Sequence, residues 1–386
     1  MKYRLSDDTW DSNEFEAIKR VLDSGRFSMG ERVAEFEKAF SEKFGVKYAL
    51  MVSSGSAANL LAVAGLVYSG KIRRNDEVIV PAVSWSTTYF PLLQLGLKLR
   101  FVDINRDTLN IDTDKLKAAI TESTKLICLV NLLGNPNDFD AVNDICNNKD
   151  IIIMEDNCES LGAEYHGKKV GTFGLVGTYS TFYSHHLCTM EGGVVVTDDE
   201  ELYHYMLCIR AHGWTRNLPK DSKIYSKSDN AFYESFNFIV PGFNLRPLEI
   251  EGAAGTEQLK KMDGIIAQRR ANAEYFREKI KDVTDVRFQK EVESSSWFGF
   301  AIILEGKNIG RRDEIVRELA ESEIEVRPIV AGNFTRNKVI EYMDYTVSGE
   351  LTSANDIHDN GFFIGNHSKN NSAEIDYFVD VLKSVL

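Results

Sequence analysis

Through the first 200 residues, short apolar runs alternate with helix-patterned stretches, and this alternation restricts the fold more than any other feature. The runs are Tyr48 to Val52, Val78-Ile79-Val80, Leu97 to Val102, Leu126 to Val130, Ile151 to Met154, Thr178 to Phe182 and Val194 to Thr197. Strand-length runs with little polar alternation are buried on both faces, which requires a mostly parallel sheet covered by helices. Asp11 to Ser24 predicts an amphipathic helix with Phe15, Ile18, Val21 and Leu22 on one face. Asp11, with Glu14 three residues later, supplies its N-terminal cap.

The pattern changes after Pro241. Residues 246–282 predict one long helix, broken at most once, that includes Leu259, Met262, Ile265 and Ile266. A strand from Trp297 to Leu304, a helix with Ile315, Val316 and Leu319 on one face, and a strand around Val326 follow. A chain of 386 residues exceeds one small core. The expected organisation is a large α/β domain over 1–245, then a connector helix and a smaller C-terminal α+β domain over 246–386. Residues 218–230 are rich in Lys, Asp and Ser and predict an exposed loop.

Composition excludes several roles. A net charge of −13 speaks against nucleic acid as a partner. No apolar run approaches the ~20 residues that span a bilayer. The segment Met1 to Asp8 has no apolar stretch after its charges, so no signal peptide and a cytoplasmic location are expected. No two of the five cysteines are spaced as zinc or thioredoxin-type motifs require, so free thiols and no metal site are expected.

Four segments carry candidate chemistry. Ser53-Ser54-Gly55-Ser56-Ala57 joins a strand to a helix start, where free backbone N–H groups attract a phosphate; a plain capped helix would read the same way. Asp156, just past a strand, stands at the sheet edge where open α/β folds bind ligands; it could equally cap a following helix. Trp85 follows another strand end and could stack on a flat ring or simply fill the rim. The fourth segment runs from Ser180 through His185-His186 to Glu191-Gly192-Gly193. Adjacent histidines diverge in regular structure, so they do not predict a shared metal.

In combined order these segments resemble the DegT/DnrJ/EryC1 sugar aminotransferases of the fold-type I pyridoxal-phosphate class. The resemblance covers nearly the whole chain and implies their aspartate aminotransferase-like fold. In those enzymes a Schiff-base lysine precedes the Glu-Gly-Gly turn. Here Lys169 is followed next by Lys220, and a histidine occupies the slot. Counting back from the turn gives His185; counting forward from the strand gives His186. The turn is the firmer anchor and selects His185. The resemblance implies phosphate contacts from Gly55, Ser56 and Ser180, and ring contacts from Trp85, Asp156 and Glu159. It also implies Asn244 reaching the cofactor phosphate of a partner subunit in a homodimer. His212, Arg216 and Arg327 are candidate substrate contacts.

Histidine cannot form the internal imine, so pyridoxal or pyridoxamine phosphate would be held noncovalently. Its unperturbed pKa of ~6.5 still suits proton transfer. The resemblance then implies a deoxygenating branch of the family, which removes the C3 hydroxyl of a nucleotide-linked 4-keto-6-deoxy sugar, GDP-linked mannose above all. Ammonia leaves, and L-glutamate restores the amine form. Three other readings compete: an iron–sulfur dehydratase, which needs clustered cysteines; a C4 aminotransferase, which needs the lysine; and an inactive binding protein, in which the other cofactor contacts should have decayed.

Overall fold

A computed structural model describes residues 1–386. Its strands in chain order are β1 Tyr48–Val52, β2 Glu77–Pro81, β3 Lys98–Val102, β4 Thr124–Val130, β5 Ile152–Asp156, β6 Glu164–Tyr165, β7 Lys168–Lys169, β8 Val176–Ser180, β9 Gly193–Thr197, β10 Val286–Phe288, β11 Gly299–Leu304, β12 Tyr345–Ser348 and β13 Gly361–Gly365. Eight of them form one sheet in the order β1-β9-β8-β5-β4-β2-β3-β12. Only β9 runs against its neighbours, so the C-terminal ends of β1, β2, β4, β5 and β8 share one edge. All seven expected strands form. The one drawn from Thr178 to Phe182 is displaced, because the chain leaves the sheet after Ser180.

β10, β11 and β13 make a separate antiparallel sheet. The strand expected around Val326 does not form. Only an isolated bridge joins Arg327 to Phe363, and Pro328, which has no N–H, ends the pairing there. β12 had no clear signal in the sequence, being four residues long and largely exposed. It adds to the large sheet beside β3, so a boundary at 245/246 leaves one large-sheet strand on its far side. No helix is long and apolar enough to cross a membrane.

The long helix is unbroken over Glu249–Ile280, 32 residues or about 48 Å at 1.5 Å per residue. Its first turns pack on the helices Ser12–Ser24 and Glu31–Phe44. Contact is close because Gly252 and Gly255 stand at the crossing. A Cβ on Gly252 would lie 2.7 Å from the Val33 nitrogen, and one on Gly255 would lie 2.8 Å from the Phe36 ring. Farther along, buried Met262, Ile265 and Ile266 cover the β1–β9 side of the sheet, and Phe276 and Ile280 join the core of the small sheet.

The helix Ser12–Ser24 has the expected Asp11–Glu14 capping box, but it buries a different face. Phe15 and Leu22 are 63% and 56% exposed, while Glu14, Ala17 and Val21 are buried. Glu14 turns inward because Lys261 and Gln258 of the long helix bind its carboxylate, and this sets the rotation of the helix.

Helix Glu31–Phe44 begins at Gly30, which offers no side-chain cap. Buried Glu249 supplies one from the neighbouring helix, accepting hydrogen bonds from the N–H groups of Gly30 (2.6 Å), Arg32 (2.9 Å) and Val33 (3.1 Å). A carboxylate at a helix N-terminus also complements the helix dipole. Glu249→Ala should therefore lower unfolding stability by about 2 kcal/mol, seen as a lower urea midpoint. A midpoint equal to the parent's would show that this cap contributes nothing.

Candidate active site

A cavity of 390 Å³ opens at the shared strand edge. Each strand end delivers its residues to it. From β1 come Ser54, Gly55 and Ser56; from β2, Ser84, Trp85, Thr87 and Thr88; from β5, Asp156, Cys158 and Glu159; from β8, Ser180, Phe182, Ser184 and His185. Glu191 and Val330 close the rim, and no lysine lines the cavity.

The anion cradle follows from local chemistry. Ser54 caps helix Gly55–Tyr68 by accepting from the Ala57 N–H at 3.0 Å, and the first-turn N–H groups have no helical partner. The backbone approaches closely because residue 55 is glycine: a Cβ there would meet the Ser180 Cβ at 2.6 Å. Ser56 donates to Thr87 at 3.1 Å, which holds its hydroxyl beside the cradle. A phosphate fits this donor set.

Asp156 ends β5 with 5% exposure, next to Glu155 on the opposite sheet face. Glu155 turns away and binds the N–H groups of Phe173 and Gly174. Asp156 turns into the cavity, and no helix follows for it to cap. Its Oδ2 accepts from Asn59 Nδ2 (2.8 Å) and Thr88 Oγ1 (2.7 Å), and its Oδ1 from the Cys158 N–H (3.1 Å). Thr178 donates to Asn59 Oδ1 at 2.6 Å, which fixes that amide with its NH2 toward the carboxylate. Asn59 and Thr88 were not singled out in the sequence. Their only signal was position: each lies in the first turns of a helix that leaves the active edge.

Glu159 receives the Leu133 N–H at 3.0 Å, and burial, aided by Asp156 nearby, pushes its carboxyl up to about 7. Trp85 is 58% exposed at the mouth, free to cover a ring. Burial pushes the Cys158 thiol well up, so it is no nucleophile.

The two histidines separate. His185 lines the cavity. Its Nδ1 is buried without a hydrogen-bond partner. Burial pushes His185 down to about 4, with the Arg269 guanidinium adding to the effect and hydrogen bonding with the main chain of Cys158 and Ser180 opposing it. His186 is fully buried behind it, with Nε2 3.1 Å from the Ser296 carbonyl oxygen. Burial, then Arg269, pushes it well below the ordinary histidine range.

Four candidates lie outside this cavity. Asn244 is exposed and accepts from Arg246 Nε at 3.0 Å. His212 packs against Trp214, and Arg216 lies over the same indole. Arg327 is exposed beside β13.

Known proteins are similar to this chain in sequence and fold. The chain is 56% identical over 387 residues to GDP-4-keto-6-deoxy-D-mannose 3-dehydratase of Yersinia pseudotuberculosis, covering 99% of this chain and 98% of that one. A crystal structure of GDP-4-keto-6-deoxymannose-3-dehydratase with a trapped PLP–glutamate geminal diamine superposes with a TM-score of 0.97 at 55% identity, over 98% of this chain and 100% of that one. A double variant of that dehydratase (ColD), with one histidine replaced by lysine and the serine before it by asparagine, superposes with a TM-score of 0.96 at 54% identity, over 97% of this chain and 100% of that one. Residues 8–383 match the family model, and the chain belongs to the DegT/DnrJ/EryC1/StrS aminotransferase family, with its PLP-dependent aminotransferase-like fold.

Proposed function

We propose that this enzyme is a pyridoxamine-phosphate-dependent 3-dehydratase. It removes the C3 hydroxyl of GDP-4-keto-6-deoxy-D-mannose, gives the 3,6-dideoxy-4-keto sugar with release of ammonia, and uses L-glutamate to restore the amine form. The carrying observation is a cavity lined by Gly55, Ser56, Trp85, Asp156, Glu159, Ser180 and His185, with no lysine among its residues. The same observation disfavours C4 amination, which needs a Schiff-base lysine. Intact cofactor contacts disfavour an inactive binding protein.

When bound, the cofactor supplies a reactive amine and a ring that stores electrons. The chain's own groups do the rest. Backbone N–H groups at Gly55 and Ser56, with the Ser180 hydroxyl, hold the phosphate. Asp156 would keep the ring nitrogen protonated, and Trp85 and Glu159 would help to hold the ring. His185 takes a proton and returns one toward the leaving hydroxyl. Held down near 4, it is neutral at pH 7 and gives up readily what it accepts. The serine–histidine pair altered in the ColD double variant supports this register, since Ser184-His185 is the one Ser-His dipeptide of this chain.

A homodimer is part of the proposal. Asn244 faces outward from its own cavity and would complete the phosphate site of a second copy, with His212 and Arg216 reaching its substrate. Arg327 stays a candidate for the glutamate carboxylates or the nucleotide diphosphate. Family membership supports a cytoplasmic enzyme.

His185→Asn should bind pyridoxamine phosphate yet lose turnover by on the order of 10²-fold or more, and His186→Asn should be milder. The assay is ammonia release with the GDP-linked keto-sugar. Full activity in His185→Asn with a dead His186→Asn would transfer the role to His186, and full activity in both would end the histidine mechanism.

The buried histidines also set a pH window. Both are held below their unfolded value of ~6.5, so the unfolded chain binds their protons first. Their contribution to stability is complete above pH ~6.5 and is lost as pH falls toward 4. Glu159 and Glu251, pushed up to about 7 by burial, act in the opposite sense between pH ~4.5 and 7, so a difference measurement is required. Cofactor-free His185→Asn should lose less stability than the parent between pH 7 and 5 in urea unfolding. Parallel curves would refute the depressed value.

A further inference from the structure

We propose that Phe298 is a positioning residue for His185: with Phe182 it forms an aromatic slot that sets the plane of an imidazole whose buried Nδ1 has no hydrogen-bond partner. This rests on the reading of His185 as the proton carrier.

Histidines that move protons are usually fixed by a hydrogen bond from the ring nitrogen not in use, to a carboxylate or a carbonyl. His185 has no such partner at its buried Nδ1. What touches the ring is aromatic. The Phe298 ring meets it at 5.1 Å between centroids and 82°, and the Phe182 ring at 5.9 Å and 89°. Both are edge-to-face pairs within the favoured separation. The two rings come from different elements. Phe182 lies on the segment that carries His185, where the His185 N–H also bonds the Phe182 carbonyl at 2.9 Å. Phe298 comes from the approach to β11, so it ties the imidazole to a distant part of the chain.

That approach is unusually constrained. Trp297 is left-handed, with φ of +47°. The Ser296 N–H bonds Gly134 O and the Phe298 N–H bonds Leu133 O, each at 2.9 Å. From the other side, buried Arg269 donates to the carbonyls of Trp297 (3.3 Å) and Phe298 (3.2 Å), and Asn366 donates to Trp297 O at 2.9 Å. Both bonds come from one Arg269 nitrogen, Nη1, which bridges the two carbonyls. A β-strand approach does not need a buried guanidinium to hold two carbonyls. The anchoring makes sense if the Phe298 ring must stay in one place.

Phe298→Leu removes the ring and keeps an apolar side chain of similar reach; Phe298→Tyr keeps the ring. In cofactor-free protein with isotope-labelled histidine, the His185 ring protons, assigned by their loss in His185→Asn, should lose their aromatic ring-current shift in Phe298→Leu and keep it in Phe298→Tyr. For the loaded enzyme, kcat in Phe298→Leu should fall roughly tenfold or more, as expected for a misplaced catalytic group, with sugar KM and pyridoxamine phosphate affinity unchanged. Phe298→Tyr should restore kcat. A Phe298→Leu protein with the parent's His185 resonances and kcat would overturn the proposal, as would equal losses in both variants. If instead His185→Asn remains active, the reading of His185 fails, and the resonance shifts still report separately whether Phe298 places the ring.

Discussion

A carboxylate taken out of water costs several kcal/mol unless hydrogen bonds replace the lost solvation, and Asp156 is such a carboxylate. Its three donors come from three places: the helix after β1, the helix after β2, and the turn after β5 itself. Those are the segments that also supply Ser54, Gly55 and Ser56, Trp85 and Glu159 to the cavity. Satisfying one buried acid therefore sets the mutual position of most of the cavity wall. Parallel strands make this possible, because their C-terminal ends reach the same edge and the following helices start with unpaired N–H groups.

The cavity has two kinds of order. On the Asp156 side, polar groups are matched bond for bond: Thr178 fixes Asn59, and Asn59 and Thr88 fix the acid. On the His185 side, the neighbours are aromatic and Nδ1 has no partner. A hydrogen bond from the imidazole N–H to a carboxylate would raise the basicity of the imidazole and favour its cation. Packing by rings orients it with less of that effect. The first side suits a group that must keep one charge; the second suits one that must change its charge and change back.

Much of this was legible in the sequence because it depends on local signals. Strand-length apolar runs, the Ser54-Gly55-Ser56 helix start and the Asp11–Glu14 cap are short-range patterns, and each forms as expected. Of what failed, the strand around Val326 has a local cause in Pro328, and the rest depends on distant partners. The β12 edge strand is defined by β3 beside it, not by its own exposed residues. The buried face of helix Ser12–Ser24 is set by Lys261 and Gln258, some 250 residues away, which draw Glu14 inward against its polarity. Asn59 and Thr88 look like ordinary helix residues until β5 places Asp156 between them. The register of the two histidines was ambiguous for the same reason. The strand ends at Ser180, earlier than its apolar pattern, and Ser296, which meets His186, comes from the far end of the chain.

The surroundings of His185 also bear on why a lysine is out of place there. Arg269 is fully buried with no acid paired to it, and it acts on both histidines by disfavouring their protonated forms. Burial alone pulls its own value down to about 10, so it keeps its charge at neutral pH. A lysine at this position would be charged whenever it was not joined to a partner, since its ordinary value is ~10.4. That would set a second cation within the influence of Arg269 and between two aromatic rings. Neutral imidazole avoids the repulsion and is a cation only while it carries the transferred proton. Exchanging the one side chain would thus leave Arg269 and the aromatic slot still arranged for a neutral ring, and the positions that complete a change of chemistry are expected among the residues that set this charge balance.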